Sequence, residues 1–424
     1  RSAKLQRVID KYSLEVARNE FEPQFSFNAN GEIVEGRGAG ANMTPGVKYK
    51  TKYGTQFDLG LVGNYYDGQG DSGAQIRVRQ PLLRGFGADI VTANYCNAID
   101  QEKINKLNLK EKMQATVTSV IQSYYQLVED YNKLEVDEQA LKDSLETLKS
   151  TQLKIEAGKV APKEITQQEA QVSDQRFTLI RDNNKIDSDY QNFLLLLGVS
   201  PDSKFTIVRE IPEHQIKVPN MQQSISTALN ENVNFFTKTM GLRGQERAVA
   251  VAENEQKWRL DIVGKVNQSL VQDSTLSTIS GTNFLNDHRV SLELEIPIND
   301  KPRKQKLINA NINLKKFKIA LDNEKKKLET EVVNAVRDLE AQQQQIKAAE
   351  RSVLFAEDSL KTAQRKFEFG RTSMFEVTSL RRRLTQSKTT LIQQRITYLN
   401  TLAKFQQTLG VTLKQWHLRF YDDE

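Results

Sequence analysis

The sequence has few of the residues that cross-link proteins or anchor them in membranes as helices. It has one cysteine, Cys96, among 424 residues, so an internal disulfide and a cysteine-based zinc site are both excluded. Its longest aliphatic run is the four leucines at 194–197, far short of the roughly 20 apolar residues of a membrane-spanning helix. Hydrophobic residues make up only 38% of the chain, which favours thin helical layers over a thick core. The net charge of +6 is mild and does not by itself indicate a nucleic-acid partner.

The sequence does contain one block that occurs twice. Gly158 and Gly198 lie 40 residues apart, and so do Gly370 and Gly410. The second pair follows the first by 370 − 158 = 212 positions, which is half of the chain. This spacing predicts an internal duplication.

Apolar residues recur every seven positions on both sides of the first glycine in each copy. In the first copy they are Val120, Leu127, Leu134, Leu141, Leu148 and Ile155, then Ile165, Val172, Leu179, Ile186 and Phe193. In the second they are Val332, Leu339, Ile346, Val353, Leu360 and Phe367, then Val377, Leu384, Leu391, Tyr398 and Phe405. A glycine between two such seams is typical of a helical hairpin turn, so we predict two long hairpins with tips at Gly158 and Gly370.

The positions three residues after each of these apolar residues on the first helix of each hairpin differ between the two copies. The second copy has mostly alanine there, which lets helices approach closely. The first copy has polar residues at the same places: Ser123, Asp130, Asp137, Ser144 and Thr151. We therefore predict that its seam is apolar on one side only.

Two other regions alternate apolar and polar residues with a period of two. The alternation covers residues 21–29, 57–65 and 76–79, and later 260–266 and 290–298. It predicts antiparallel strands with one apolar face, four main strands or slightly more in each chain. About eight strands are the minimum for a closed barrel, so several chains must contribute to one barrel.

The predicted segments follow one another in a repeating order. Upper half-helices span 1–20 and 222–257, barrel strands 21–83 and 258–300, the first hairpin 84–198, an equatorial belt 199–221, the second hairpin 301–410, and a C-terminal equatorial segment 411–424. Each long helix, 88–157 and 302–369, matches two half-helices placed end to end, with the strands at the far end from the tips. The N-terminal half-helix is short on this basis, so we expect a signal peptide and about 15 further helical residues before Arg1.

Motifs for chemistry are few. Gly68 to Gly73 matches G-x-G-x-x-G, but no helix follows, so we interpret it as a polar loop between strands. The other candidates are three isolated histidines and two basic triplets: His214, His288, His417, Lys325–Lys327 and Arg381–Arg383. The histidines lack partners at ligand spacing, and triplets without interleaved aromatics are typical of a solvated helix face. We expect no enzyme, no cofactor or metal, and no nucleic-acid partner.

The duplicated block resembles the outer-membrane efflux protein family, the TolC-like channels. The resemblance rests on the two Gly-x5-acid-Val/Ile blocks, each followed by a heptad helix ending in Leu-Gly, and on the stretch Gln80–Gly87. It covers nearly the whole chain and implies a mainly α-helical protein with a membrane β-barrel portion. Three chains would form a 12-strand barrel in the outer membrane of a Gram-negative bacterium, in contact with its lipid, and a helical tunnel across the periplasm. The implied function is passive exit in efflux or type I secretion, with a periplasmic adaptor and an inner-membrane transporter as partners.

The resemblance also assigns residues to a periplasmic aperture. The family's aperture acids match Glu164 and Glu376, six positions after each tip glycine, with glutamate in place of aspartate. A further family acid corresponds to Ser379, the aromatic hydroxyl of the latch to Phe367, and its basic residue to Thr372. Any latch in this chain must therefore use different side-chain interactions. The two glutamates can also be ordinary first-turn acids, which the helix dipole favours.

Two similar exposed turns are expected at the tips. They comprise Gly158, Lys159 and Val160 in the first copy and Gly370, Arg371 and Thr372 in the second. Three chains would present six such turns to a ring of adaptor hairpins, and the glycines allow close backbone approach.

Two other classes of protein remain alternatives. A coiled-coil scaffold with a soluble head would have to bury the apolar strand faces. An autonomous porin does not account for the long helices.

Overall fold

A computed structural model describes residues 2–34, 38–66, 69–158, 161–212, 216–271 and 284–419. The chain divides into two compact units. One contains residues 1–109 and 234–324, and the other contains residues 110–233 and 325–424. We call them the strand unit and the hairpin unit. Lys159, Val160 and His214 of the sequence predictions lie outside the described residues.

Helices account for most of the described chain. They are α1 (Ser2–Asn19), α2 (Ala88–Val91), α3 (Ala93–Glu156), α4 (Lys163–Leu197), α5 (Met221–Glu231), α6 (Val233–Glu255), α7 (Lys301–Glu368), α8 (Met374–Leu409) and α9 (Thr412–Gln415). Within the described residues, no helix has the length and apolar character needed to cross a membrane.

The strand unit contains one antiparallel sheet whose strands lie in sequence order. They are β1 (Gln24–Val34), β2 (Gly38–Lys50), β3 (Gln56–Tyr66), β4 (Gln69–Pro81), β5 (Arg259–Val271) and β6 (Phe284–Glu295). The prediction of four main strands or slightly more is therefore too low, because the described sheet has six. The 12-strand barrel that the resemblance implies remains a prediction.

The missed strand is β2, whereas β1 overlaps the alternation predicted at residues 21–29. Residues 38–50 contain glycines and Pro45 and lack clean alternation, so the period of two did not identify them as a strand. Pairing with both neighbours along its length nevertheless makes the segment a strand. Pro45 and Thr44 interrupt only the pairing with β3, as expected of a residue without a backbone N–H.

The pairing register separates apolar from polar side chains. Directly opposite residues of antiparallel strands share a face, and one row across the sheet contains Phe25, Val47, Leu59, Ile76 and Val266. The apolar face is exposed in the single chain; Phe25, for example, is 81% exposed. The predicted one-sided apolar strands are confirmed.

The stretch Gln80–Gly87 joins the sheet to the helices of the strand unit. The Leu82 N–H donates to the carbonyl of Leu260 over 2.7 Å, which prolongs the β4–β5 pairing beyond β4. The Gly85 N–H donates to Oδ1 of the buried Asn254 over 2.8 Å, at the end of α6. This stretch therefore fixes where the chain leaves the sheet.

The hairpin unit contains both predicted tips and the parts of the two hairpins from residues 110 and 325 onward. Helices α3 and α4 form the first and α7 and α8 the second, and every residue of the predicted heptad seams is buried or half-buried. The helix predicted at 374–409 is observed as Met374–Leu409. The predicted helix 88–157 is interrupted at Thr92, between α2 and α3.

The predicted helix 222–257 is two helices, α5 and α6, because Asn232 has an extended backbone conformation. The Asn232 side chain donates to the carbonyl of Thr408 over 2.8 Å. A β-carbon on Gly410 would lie 2.2 Å from the carbonyl oxygen of Glu231. The end of α8 is thus packed against the break itself.

Tyrosine hydroxyls hold the described belt residues between 199 and 220 on the helices. Tyr124 donates to the carbonyl of Val208 over 2.9 Å, and Tyr398 donates to the carbonyl of Lys217 over 2.8 Å. The belt residues that are described form no helix, as their prolines predicted.

Candidate functional site: hairpin tips and the contacts behind them

Both tip glycines have the left-handed conformation that a hairpin turn requires. Gly158 has φ 69° and Gly370 has φ 68°. At the second tip, the Gly370 N–H donates to the carbonyl of Phe367 and the Arg371 N–H to that of Lys366, which is the Schellman arrangement. Among the described residues, and apart from the chain neighbours of each glycine, no atom lies within 4 Å of the place a β-carbon would occupy. Both tips therefore have open space around the turn.

The second tip exposes two aromatic side chains that the sequence analysis did not single out. Phe369 is 77% exposed and Phe375 is 60% exposed, one on each side of Gly370. Neither residue occupies a heptad position, unlike Phe367 and Val377. This offset was the sequence signal that could have identified both as exposed. Exposed aromatic residues at a turn are typical of a binding surface.

Glu376 belongs to the N-terminal cap of α8. Its backbone N–H donates to the Ser373 hydroxyl over 3.3 Å, and the Thr372 hydroxyl donates to its carboxylate. Glu376 and Ser379 are both exposed. The interpretation of Glu376 as a first-turn acid thus has a structural basis.

Glu164 has a different environment. It is half-buried in the first turn of α4, whose N-cap is Pro162 and provides no side-chain hydrogen bond. Its backbone N–H donates to the carbonyl of Ala161 over 3.1 Å. Capping therefore does not account for the carboxylate of Glu164.

Phe367 contacts the first hairpin. The Lys154 ammonium lies 4.2 Å from the centre of the Phe367 ring, within the range of a cation–π interaction. The other side of Phe367 packs against a small core made by Leu360, Ala363, Met374 and Val377. The aromatic position of the family's latch thus joins α3 to α7 without a hydroxyl. The partner lysine was not found from sequence, because it lies beside the seam rather than in it.

Arg381 makes a second connection between the hairpins. Its guanidinium donates to the Thr147 hydroxyl over 2.7 Å and to the carbonyl of Asp143 over 3.2 Å. Burial lowers the pKa of Arg381 from its usual value. The interpretation of 381–383 as a solvated face is therefore wrong for Arg381, because α3 covers it, while Arg382 and Arg383 are exposed.

Four of the five polar positions of the first seam, Asp130, Asp137, Ser144 and Thr151, are buried, so the polar side of this seam is packed as well as the apolar side. Ser144 and Thr151 satisfy their hydroxyls by donating to carbonyls four residues earlier, over 2.8 and 2.9 Å. Asp130 accepts a hydrogen bond from Lys185 of α4. The sequence gave no sign that Lys185 of the facing helix is the partner of Asp130.

Asp137 is the most perturbed acid of this seam. Burial and a hydrogen bond with Asp182 raise its pKa to about 6. Burial also acts to raise the pKa of Asp182, but Lys133, whose ammonium lies 3.0 Å away, and further hydrogen bonds lower it on balance. Below about pH 6 the pair of carboxyl groups therefore holds a proton, and Asp137 is its carrier.

The comparisons with known proteins agree with this architecture. Residues 1–199 match the family model described as outer membrane efflux protein. A comparison with curated protein sequences finds no match.

Several solved structures are similar over nearly the whole chain. A CusC structure matches with a TM-score of 0.73 and 14% identity, over 97% of this chain and 88% of that one. VceC of Vibrio cholerae matches with a TM-score of 0.70 and 13% identity, over 96% and 92%. The open-state MtrE channel of Neisseria gonorrhoeae matches with a TM-score of 0.71 and 14% identity, over 97% and 86%. At these identities the structures show the fold, which is the predicted one.

Proposed function

We propose that this chain, which has the fold of the outer membrane efflux proteins and resembles that family, forms an export duct and is not an enzyme. Three copies form the duct. Their strands close one barrel in the outer membrane of a Gram-negative bacterium, and their helices form a tunnel in the periplasm. The duct conducts passively, and substrates reach it from an inner-membrane transporter through a periplasmic adaptor.

The observation that carries the proposal is the sheet. Its apolar face is exposed, and β1 and β6 are its terminal strands among the described residues. An open edge and an apolar face are both unstable in water, and an open edge is unstable in lipid as well. A closed barrel of several copies resolves both problems.

The two terminal strands have the lengths and directions needed to pair with each other between neighbouring copies. β1 has 11 residues and β6 has 12, and in a six-stranded antiparallel sheet they run in opposite directions. Placing β6 of one copy beside β1 of the next continues the antiparallel alternation. Three copies of six strands then give 18 strands, an even number as in other outer-membrane barrels.

The helices also expose apolar stripes suited to further copies. On α1 the exposed apolar residues follow helical spacing: Leu5, Val8, Ile9, Tyr12 and Val16. Each is more than half exposed in the single chain. A stripe of this kind on a helix indicates a protein partner, and we assign it to the neighbouring copies.

We further propose that Glu164 and Glu376 line the narrow periplasmic aperture. Three copies of each would form rings of like charge that attract cations. The double substitution Glu164→Gln/Glu376→Gln should reduce cation selectivity and weaken block by multivalent cations in planar bilayers. Unchanged selectivity would refute the aperture role of both acids and leave Glu376 with its capping role alone.

Adaptor docking at the tips has a direct test. A β-carbon on Gly370 meets no described atom within 4 Å, so the main cost expected of Gly370→Val within the chain is the left-handed strain, about 1–2 kcal/mol. We expect Gly370→Val to retain trimer assembly and membrane insertion but to lose adaptor crosslinking and export. Gly158→Val should act in the same way, to an equal or lesser degree. Normal export by an assembled Gly158→Val/Gly370→Val double variant would refute docking at the tips.

A further inference from the structure

The polar face of the sheet carries one strongly basic row. The pairing register places five charged residues side by side, one on each of β2 to β6: Lys48, Asp58, Arg77, Lys265 and Arg289. Four are basic and one is acidic, so the row has a net charge of +3 in each chain. The row continues to the uncharged Gln24 on β1.

The neighbouring rows of the same face lack this excess. On the side towards the β1–β2 turn, the next row contains Ser26, Gly46, Gly60, Gln75, Asn267 and Asp287. Its single charge, Asp287, lies 3.7 Å from Arg289 and offsets part of the basic row.

The row on the other side of the basic row has two basic residues, and both are paired. Lys50 lies 2.5 Å from the carboxylate of Glu20, and Arg79 lies 2.7 Å from that of the buried Asp261. Their charges are therefore largely neutralised within the chain.

Three members of the basic row have no such compensation. Among the described residues, no carboxylate lies within salt-bridge distance of Lys48, Arg77 or Lys265. The Nε of Arg77 is buried and has no hydrogen-bond partner in the described part of the chain. An excess of basic charge in one row of a folded sheet costs stability through like-charge repulsion, so fold stability alone does not account for the row.

We propose that this row forms a basic ring on the inner wall of the barrel and selects for anionic solutes. The inference rests on the proposed function, because the polar face becomes the lumen only when the sheet closes with its apolar face towards lipid. Three copies then place a net charge of +9 at one level, before the partial offset by Asp287. Rings of arginine and lysine are the usual wall of anion-conducting pores.

The reach of such a ring depends on ionic strength. The Debye length is about 30 Å at 0.01 M salt but about 10 Å at 0.1 M. In a wide barrel the ring therefore acts across the whole lumen only in dilute salt. Selectivity should weaken steeply as salt rises, which separates a lumenal ring from a tight anion-binding pocket.

The experiment uses the full-length trimer in planar bilayers under a KCl gradient. Lys265→Gln and Arg77→Gln should each lower the chloride-to-potassium permeability ratio, by about twofold in dilute salt, since three charges leave one ring. Asp58→Asn should raise the ratio, because it removes the only acid of the row. The matched control is the double variant Arg77→Lys/Lys265→Arg, which keeps the charge and should keep the ratio.

A second measurement uses inorganic tripolyphosphate as an anionic blocker. Block should be weaker in Lys265→Gln and stronger in Asp58→Asn than in the unmodified protein. If the charge-changing variants conduct normally with unchanged permeability ratio and unchanged block, the ring is refuted while the duct stands. If the unmodified protein forms no trimer or no conducting pore, the proposed function fails, and the ring fails with it.

Discussion

Replacing Asp137 by asparagine should stabilise the first hairpin at neutral pH. Asp137 is 7% exposed, and burial with the Asp182 hydrogen bond raises its pKa to about 6. A carboxyl whose pKa is higher in the folded chain than in the unfolded chain destabilises the fold where it is ionised. That destabilisation is present above pH 6 and disappears as pH falls towards 4. Asparagine has no charge to bury, and its amide can still donate to Asp182.

The size of the effect follows from the two pKa values. The change from 3.8 to about 6 corresponds to about 3 kcal/mol in the limit of high pH. Three kcal/mol is a factor of about a hundred in the equilibrium for local opening. The lowered pKa of Asp182 works with the opposite sign, but its stabilising contribution is constant between pH 5 and 8 and adds no pH dependence there.

Hydrogen exchange of the α3 and α4 backbone amides measures local opening directly. Rates are corrected for the intrinsic dependence of exchange on pH with an unstructured peptide. Asp137→Asn should slow exchange around residue 137 by up to about a hundredfold near pH 7.5 and have little effect near pH 4.5. An equal effect at both pH values, or faster exchange near pH 7.5, would contradict the assignment of the raised pKa to Asp137.

Two further substitutions have matched controls within the chain. Gly410→Ala places a β-carbon 2.2 Å from the Glu231 carbonyl at φ 78°, whereas Gly198→Ala meets no atom within 4 Å at φ 68°. Gly198→Ala should cost only the left-handed strain of about 1–2 kcal/mol, and Gly410→Ala clearly more, in thermal denaturation of the detergent-solubilised protein; equal costs would contradict the packing of α8 on α5. Arg381 connects the two hairpins near the proposed aperture, so Arg381→Gln should loosen the contact with Thr147 and raise single-channel conductance, while the exposed Arg382→Gln should not. Equal conductance in the two variants would contradict a role of the Arg381–Thr147 contact in setting the width of the aperture.

The hairpins could be predicted because their determinants are local. Heptad spacing and left-handed glycines fix each helix and its end within a few turns of the chain. Gly370 and Gly410 therefore bounded α8 closely, and the observed helix runs from Met374 to Leu409.

The features that the sequence did not reveal depend on distant partners. Strand β2 has a poor intrinsic pattern and exists because β1 and β3 pair with it. The break at Asn232 arises where the end of α8, more than 170 residues later, packs against it. Arg381 was misassigned for the same reason, since the groups that cover it belong to α3.

The central claim is that three six-stranded chains close one barrel. Single-particle electron microscopy of the full-length protein in lipid nanodiscs tests it most directly. We predict a particle with three-fold symmetry whose barrel has 18 strands, with β6 of each copy beside β1 of the next. A monomeric particle, or a trimer whose barrel has twelve strands with β1 and β2 outside it, would contradict the account.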